Sequence, residues 1–310
     1  MSSLIEQAAK RLEQLRQAGV DVPAAAPQPA PSVMSTMPAL DEANEAILYT
    51  PTDDLTVQTS RRIDIDMDAL EASGIVSPHA PRSQIADQYR VIKRPLIKNA
   101  MGKGASMIER GNLIMVTSAL PGEGKSFTAL NLAMSIATEL DNTVMLVDAD
   151  VARPSVMRML GLPIGPGLLD LVQDESLDLS SVLLKTNIEK LTILPSGTPH
   201  PRATELLASE AMTRLLEDIA TRYADRIIVF DSPPLLPTTE SRVLATHMGQ
   251  IVLVVSAGKT LQSEVRQALA TIESCPVKLL LLNKANTVFK GGYGYGYGYG
   301  YGYGQEQAQG

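Results

Sequence analysis

The 310-residue sequence has no tryptophan, three phenylalanines and a single cysteine. Cys275 alone cannot form an internal disulfide or a cysteine-ligated metal site, which excludes an iron–sulfur scaffold and fits a reducing cytoplasm. Long hydrophobic runs are also missing, and the first residues lack the basic and apolar regions of a signal peptide. The net charge of -7 argues against general nucleic-acid binding. We therefore expect a soluble cytoplasmic chain that reaches a membrane only through a partner.

The first 81 residues have little that predicts a packed domain. Residues 1–19 read as an amphipathic helix, because Ser3 and Glu6 have capping-box spacing and Gly19 stands where the helix would stop. This helix has two open interpretations, which are packing on its own domain and contact with a partner. Residues 20–81 are rich in proline and alanine, so we expect a weakly ordered linker there.

Short apolar runs alternating with helical segments begin after residue 112. The runs are continuous rather than alternating, which is typical of strands covered on both faces. They are LIMVT, TVMLVD, LTILP, RIIVFD, QIVLVVS and VKLLLLN. Helical patterns lie between them, notably over Ser126–Leu140, Ala203–Tyr223 and Leu261–Ser274. The pattern predicts an α/β fold with a mostly parallel, doubly wound sheet over residues 82–290, and its ligand site should lie at the carboxyl ends of the strands.

Residues 82–110 are locally basic and contain the helical segment QIADQYRVIKRPLIKNA. Pro95 should kink or end the first part of this helix. The basic side chains fit either a solvated face or an interface with a neighbouring subunit, and the charges alone do not decide between these alternatives.

A glycine-rich turn, SALPGEGKS, follows the first long strand and precedes a helix. It resembles a Walker A loop, whose backbone N–H groups surround phosphates at a helix N-terminus. Ala119 stands where the general pattern has its first glycine. Lys125 would reach the β and γ phosphates and Ser126 would bind Mg²⁺. The predicted phosphate-binding residues are Pro121, Gly122, Glu123, Gly124, Lys125, Ser126 and Phe127.

Acidic residues follow two other predicted strands. Asp148 ends TVMLVD, Asp150 lies just beyond it, and Asp231 ends RIIVFD. In a parallel sheet these carboxylates converge on the phosphate crevice, where they can orient Mg²⁺ or its waters. The alternative is that Asp148 and Asp231 only cap strand-to-loop turns.

Together, SALPGEGKS, VDADVARP and VFDSPP resemble the Walker A, A′ and B motifs of the bacterial tyrosine autokinases of exopolysaccharide synthesis. That family is related to the Min and Par ATPases, so the resemblance implies a P-loop NTPase fold over roughly residues 82–304. The segments QYRVIKRPLIKNA and PSGTPHPRATELL are similar to the narrower branch found with exosortase-linked operons.

The resemblance implies ATP and Mg²⁺ as cofactors and a set of site residues. Lys125, Asp148, Asp150 and Asp231 would be catalytic, and Ser126, Asp148 and Asp231 would hold Mg²⁺. Asn283 matches the position that contacts adenine. Arg153 would bind phosphate or orient Asp150. Either Asp148 or Asp150 would accept the proton of the acceptor hydroxyl, and the spacing leaves that choice open.

The sequence departs from the family pattern at two sites. The helix motif Glu-x-x-Arg-x-x-Arg, which builds a ring of subunits in many relatives, has Asp87, Arg90 and Lys93 here. Lysine cannot make the bidentate contacts of arginine, so ring assembly is in question. Glu240 stands where many relatives have aspartate after the Walker B segment, and its role stays open.

Residues 291–310 begin with the repeat GGYGYGYGYGYGYG. The resemblance identifies its tyrosines as phosphoacceptors, and alternating glycine keeps such a tail flexible and unobstructed. They are Tyr293, Tyr295, Tyr297, Tyr299, Tyr301 and Tyr303. The expected activity is ATP-dependent tyrosine autophosphorylation between subunits, which would regulate polysaccharide polymerisation or export. The expected partners are further copies of the chain, an inner-membrane polysaccharide co-polymerase and a tyrosine phosphatase.

Two other interpretations of the whole chain remain. A Min- or Par-like ATPase switch would regulate a membrane partner without tyrosine phosphorylation, but such proteins carry a second lysine where this chain has Leu120. A glycine- and tyrosine-rich tail can also promote self-association without any chemistry.

Overall fold

The computed structural model describes residues 60–78 and 83–285. Eight strands form one sheet in the order β1-β4-β5-β3-β6-β2-β7-β8. The strands are β1 (Arg61–Ile63), β2 (Leu113–Ser118), β3 (Thr143–Asp148), β4 (Leu184–Thr186), β5 (Leu191–Leu194), β6 (Arg226–Asp231), β7 (Gln250–Ser256) and β8 (Val277–Asn283). Every neighbouring pair is parallel except β4 with β5. The predicted mostly parallel α/β sheet is confirmed.

Helices connect most of these strands. Within the described ranges they are α1 (Met67–Ala72), α2 (Gln84–Ala100), α3 (Lys125–Ala137), α4 (Val156–Met159), α5 (Leu168–Gln173), α6 (Leu179–Val182), α7 (Ala203–Leu207), α8 (Glu210–Arg222), α9 (Glu240–Ala245) and α10 (Gln262–Ala270). The stretch predicted to be helical over Ala203–Tyr223 forms two helices, α7 and α8, with a break at Ala208 and Ser209. Ser209 caps α8 by accepting a hydrogen bond from the Met212 N–H.

Hydrophobic residues cover both faces of the central strands. Alternate residues of β2 and β6 enter two separate cores, with Met115 and Phe230 on one face and Val116 and Val229 on the other. These side chains are fully buried. The continuous apolar runs arise because each central strand contacts a layer of helices on either side.

The last strand, β8, is an exception to the prediction of two covered faces. Leu279 and Leu281 pack against the core, whereas Leu280 and Leu282 on the other face are 59% and 64% exposed. β8 pairs with β7 on one side only and lies at the edge of the sheet. A continuous apolar run cannot distinguish such an edge strand from a central one.

Part of the predicted linker belongs to the sheet. β1 pairs with β4, and Asn187 exchanges two hydrogen bonds with the backbone of Ile65. Leu70 and Val76 are buried in the core on the same side as α3. The predicted domain start at residue 82 is therefore corrected to include residues 60–78. Polar three-residue strands carry no hydrophobic periodicity, which is why the sequence did not predict them.

Helix α2 runs without interruption through Pro95, so of the two predicted effects of this proline, a kink or an end, the structure excludes the end. Its buried residues, Tyr89, Lys93 and Leu96, hold it against the domain. The Lys93 ammonium donates to the Ser135 carbonyl at 2.5 Å and pairs with Glu139 at 2.7 Å. The third residue of the ring motif is thus engaged within its own subunit.

Several predictions concern residues outside the described ranges. These are the helix over residues 1–19, the linker over residues 20–59 and 79–81, and the tail over residues 291–310. Within the described ranges, no helix has the length and apolar character needed to span a bilayer.

Candidate active site

The Walker loop joins β2 to α3 at the carboxyl edge of the sheet. Gly122 and Gly124 have φ angles of 80° and 103°, in the left-handed region that favours glycine. Gly124 is the N-cap of α3 and has no side chain to cover the first N–H groups of the helix. These donors and the helix dipole create the electrostatics that bind phosphate.

Glu123 supports this loop with its side chain. The residue is buried, and its Oε2 accepts a hydrogen bond from the Leu120 N–H at 2.8 Å. Its Oε1 accepts a hydrogen bond from the Thr260 hydroxyl. Glu123 therefore reaches a bound phosphate only through its backbone, and Thr260 is a supporting residue that sequence patterns did not indicate. Phe127 similarly packs its side chain on the core.

The end of β8 lies against the same loop. The Asn283 amide nitrogen donates to the Glu123 carbonyl at 2.8 Å, and its Oδ1 accepts from the Lys284 N–H. The Lys284 ammonium donates to the Gly122 carbonyl at 2.6 Å. Adenine contact by Asn283 stays a prediction, and in this arrangement Asn283 bridges β8 to the Walker loop.

Alanine substitutions distinguish two reasons why the loop contains glycine, which are the left-handed backbone at both positions and the close approach of Asn283 to Gly124. A Cβ on Gly122 would have open space around it, whereas a Cβ on Gly124 would overlap the Asn283 amide nitrogen. Gly122→Ala should cost about 1–2 kcal/mol from left-handed strain alone. Gly124→Ala should cost a further 1–3 kcal/mol or so from overlap. Denaturant unfolding measures both, and in an Asn283→Ala background the added cost of Gly124→Ala should fall to that of Gly122→Ala. Equal costs for the two single variants would contradict this explanation.

The predicted acidic residues meet beside the loop. Asp148 and Asp231 are paired across β3 and β6, and both are completely buried. The Lys125 ammonium lies 2.5 Å from Asp150 Oδ2 and 4.0 Å from Asp231 Oδ1. Asp148 Oδ2 accepts hydrogen bonds from the N–H groups of Ser155 and Val156. The structure therefore brings all four predicted catalytic residues together.

Burial changes the protonation of two of these carboxyls. Desolvation raises the pKa of Asp148 to about 7, and the negative charge of Asp231 adds to the rise. Desolvation also raises the pKa of Asp231 to about 6, although the nearby Lys125 ammonium opposes that shift. Both groups would regain their normal acidity beside a cation that compensates for the lost hydration.

The donor set fits Mg²⁺. The Oδ1 atoms of Asp148 and Asp231 are buried and have no hydrogen-bond partner among residues 60–78 and 83–285. The neighbouring Ser126 side chain opposes the rise in the pKa of Asp231, so a third hard oxygen lies close to the two carboxyls. The described residues contain no group of three or more His, Cys, Asp or Glu side chains that could hold a metal ion. Mg²⁺ commonly binds in this way, with few protein ligands and the rest supplied by phosphate and water.

A cavity of about 460 Å³ opens over this site. The Walker loop, Asp150 and the loop after Asp231 line it, together with Arg153 and Arg158. Neither guanidinium has a hydrogen bond or ion pair with the described part of the chain, so both can contact a bound anion. Arg158 was missed in the sequence because it lies on α4, beyond the Walker motifs.

Glu240 is directed to another part of the domain. Its Oε1 accepts a hydrogen bond from the Thr204 hydroxyl at 2.7 Å, which links the start of α9 to α7. This bond lowers the pKa of Glu240 despite partial desolvation. The same helix supports the cavity wall, because the Arg242 guanidinium donates to the Leu235 and Leu236 carbonyls.

Comparison with known proteins identifies relatives of this chain. Residues 109–282 match the family described as "ParA: NUBPL iron-transfer P-loop NTPase". Tyrosine-protein kinase YwqD of Bacillus subtilis is 32% identical over 206 residues, which cover 66% of this chain and 83% of that protein. Tyrosine-protein kinase CpsD of Streptococcus agalactiae is 33% identical over 182 residues, covering 57% and 77%.

A solved structure agrees with the sequence relatives. The kinase domain of the Escherichia coli tyrosine kinase ETK superimposes with a TM-score of 0.54 at 25% identity, covering 76% of this chain and 99% of that domain. Iron transfer is part of that family's description, and these 310 residues contain one cysteine, Cys275. The chain belongs to the bacterial tyrosine-protein kinases, a family of P-loop NTPases.

Proposed function

We propose that this protein is an ATP- and Mg²⁺-dependent protein-tyrosine autokinase that phosphorylates its own C-terminal tyrosine cluster. The observation that carries the proposal is the convergence of Lys125, the buried acidic pair and the Walker loop beside an open cavity. A tail with six tyrosines then supplies an acceptor for the γ-phosphoryl group. The related kinases YwqD and CpsD support the same activity.

Charge neutralisation and positioning account for most of the catalysis in phosphoryl transfer. The Lys125 ammonium and the α3 N-terminus would stabilise negative charge on the β and γ phosphates. Ser126, Asp148 and Asp231 would hold Mg²⁺, which neutralises charge between those phosphates. Lys125 and Ser126 lie in the first turn of α3, and Asp148 and Asp231 end the central strands β3 and β6.

The acceptor tyrosine must lose its proton during transfer. A phenol with a pKa near 10 is protonated at neutral pH, so a carboxylate that accepts or orients its proton assists the reaction. We assign this role to Asp150, because it lines the cavity whereas Asp148 and Asp231 are completely buried. Arg153 and Arg158, which line the same cavity, would contact the phosphates or the acceptor.

The biological role follows the family. We propose that phosphorylation occurs between subunits and regulates exopolysaccharide polymerisation or export at the inner membrane. The partner would be a polysaccharide co-polymerase, and a tyrosine phosphatase would reverse the modification. The exosortase-linked branch remains our assignment from the QYRVIKRPLIKNA and PSGTPHPRATELL segments.

Intact-mass spectrometry tests the proposal directly. Incubation with ATP and Mg²⁺ should add successive phosphates, and fragmentation should locate them on Tyr293–Tyr303. A variant with all six tail tyrosines replaced by phenylalanine should gain none while keeping any self-association that aromatic rings alone support. ATP hydrolysis without tail phosphate, even with a membrane partner supplied, would favour an ATPase switch instead.

The same variants test transfer between subunits. The six-phenylalanine chain keeps the active site but lacks acceptors, and the Lys125→Met chain keeps acceptors but lacks the phosphate-binding ammonium. Mixing them should place phosphate on the Lys125→Met chain. If phosphate appears only on chains that have both Lys125 and the tail tyrosines, transfer occurs within one subunit and this part of the proposal is wrong.

A further inference from the structure

A second cavity adjoins the active-site cavity. It encloses about 470 Å³ between α4, the loop that follows it and the end of β5. We call it the apolar groove. Its walls include Pro154, Met157, Leu162, Pro163, Ile164 and Pro195. Arg158 lines both the active-site cavity and the apolar groove, so the two are neighbouring compartments that share this side chain.

The order of the strands places the apolar groove on the acceptor side of the site. Along the carboxyl edge of the sheet, Asn283 ends β8, the Walker loop follows β2, and Asp231 and Asp148 end β6 and β3. The groove lies one strand further, at the end of β5. A nucleotide whose base lies at the Asn283 end directs its terminal phosphate toward this side, and an in-line acceptor must approach from beyond that phosphate.

The tail repeat has the dimensions to occupy both compartments. In an extended chain, alternate side chains point to the same side and lie about 7 Å apart. An extended repeat would present its tyrosines on one side and its glycines, which have no side chain, on the other. With one phenol in the active-site cavity, the next tyrosine ring would then be about 7 Å along the chain, within reach of the cavity on the other side of Arg158.

Resting on the proposed kinase function, we propose that the apolar groove binds the tyrosine ring adjacent in the repeat to the tyrosine being phosphorylated. Proline, leucine and isoleucine side chains provide apolar contacts for the ring. The Arg158 guanidinium can stack on the ring's face, because arginine makes favourable cation–π contacts with tyrosine. The groove thus selects an aromatic residue two positions from the acceptor and explains the use of a repeat.

Peptide kinetics test this subsite. The enzyme is the full chain with its six tail tyrosines replaced by alanine, so that the tail cannot compete. The peptides are Gly-Phe-Gly-Tyr-Gly-Phe-Gly and Gly-Ala-Gly-Tyr-Gly-Ala-Gly, which share one acceptor and differ only in its neighbours. We expect the KM of the phenylalanine peptide to be about tenfold lower than that of the alanine peptide, because one buried aromatic contact increases affinity by about that factor. The kcat values should be similar because the acceptor tyrosine is the same.

Two exposed apolar residues provide a matched pair of variants. Ile164 lines the groove and is 71% exposed, so Ile164→Ser should remove most of the KM difference without disturbing the core. Leu140 is 87% exposed and precedes β3 at the opposite edge of the sheet, so Leu140→Ser should preserve the difference.

The outcomes distinguish this inference from the proposed function. Equal KM values for two peptides that are both phosphorylated would overturn the subsite alone, as would an unchanged KM difference in Ile164→Ser. Failure to phosphorylate either peptide, together with an unmodified tail in the wild-type chain, would overturn the proposed kinase and the subsite with it.

Discussion

Replacing Lys125 with methionine should reduce tail phosphorylation by about a thousandfold or more. The ammonium lies in the active-site cavity beside Asp150 and is the only lysine among the residues that line that cavity. Methionine has a similar length but no charge, so the phosphates would lose their principal side-chain cation. The rate of phosphate incorporation, followed by intact-mass spectrometry under saturating ATP and Mg²⁺, measures the loss.

Lys278→Met is the matched control for this prediction. Lys278 lies near the start of β8, at the opposite edge of the sheet, and its ammonium donates to the Cys275 carbonyl. The same chemical change there should leave the phosphorylation rate within about twofold, since surface substitutions have small effects. Circular dichroism should show that Lys125→Met remains folded. A folded Lys125→Met chain that phosphorylates its tail at the wild-type rate would exclude the proposed site.

Asp231→Asn should have opposite effects on activity and stability. The substitution preserves shape but removes a negative charge from the predicted Mg²⁺ site, so phosphorylation should fall by about a hundredfold to a thousandfold. Without nucleotide and Mg²⁺, the variant should be more stable than the wild type at pH 8. Asp231 is completely buried and its Oδ1 has no hydrogen-bond partner among the described residues, so its ionisation opposes folding.

The sign of the pH dependence follows from the raised pKa of Asp231. An unfolded aspartate ionises near pH 4, whereas this carboxyl ionises at about 6 in the folded chain. Its cost to folding is absent below pH 4, grows as the pH rises to 6, and is constant above that. Asp231→Asn should therefore gain on the order of 1–3 kcal/mol at pH 8 and nothing at pH 4.

Thermal unfolding of the chelator-treated protein at pH 4 and pH 8 measures this effect. The exposed Asp225 is the matched control, because it neighbours the same strand and its side chain is 73% exposed. Asp225→Asn should change the stability by less than about 0.5 kcal/mol at either pH. A Tm for Asp231→Asn that falls below the wild type at pH 8 would mean that the buried charge stabilises the fold.

The sequence alone determined the type of fold and the main chemical groups. Continuous apolar runs bounded by a glycine-rich loop predict parallel strands, because strands covered on both faces contain few polar residues. Lys125, Asp148, Asp150 and Asp231 were also found from sequence, since Walker motifs combine short local spacing with strand ends. The resemblance to the tyrosine autokinases then connected these groups to the tail.

Other features depended on contacts between distant segments. The pairing of β1 with β4 joins residues about 120 positions apart, and the three-residue β1 has no periodicity that would reveal it. The exposed face of β8 follows from its place at the sheet edge, which its leucine-rich sequence does not encode. The burial of Lys93 likewise depends on Ser135 and Glu139, which α3 and the turn after it bring beside α2.

The residues that support the active site also divide into those that local sequence determined and those that only the tertiary structure brought together. Local sequence determined the Walker loop, because glycine alone adopts its left-handed turns without strain and a helix must follow it. Only the tertiary structure joined Glu123 to Thr260, Asn283 to the loop and Arg158 to two adjacent cavities. The sequence therefore specified the proposed reacting groups, whereas their supports and the shape of the two adjacent cavities were decided by which strands became neighbours in the sheet.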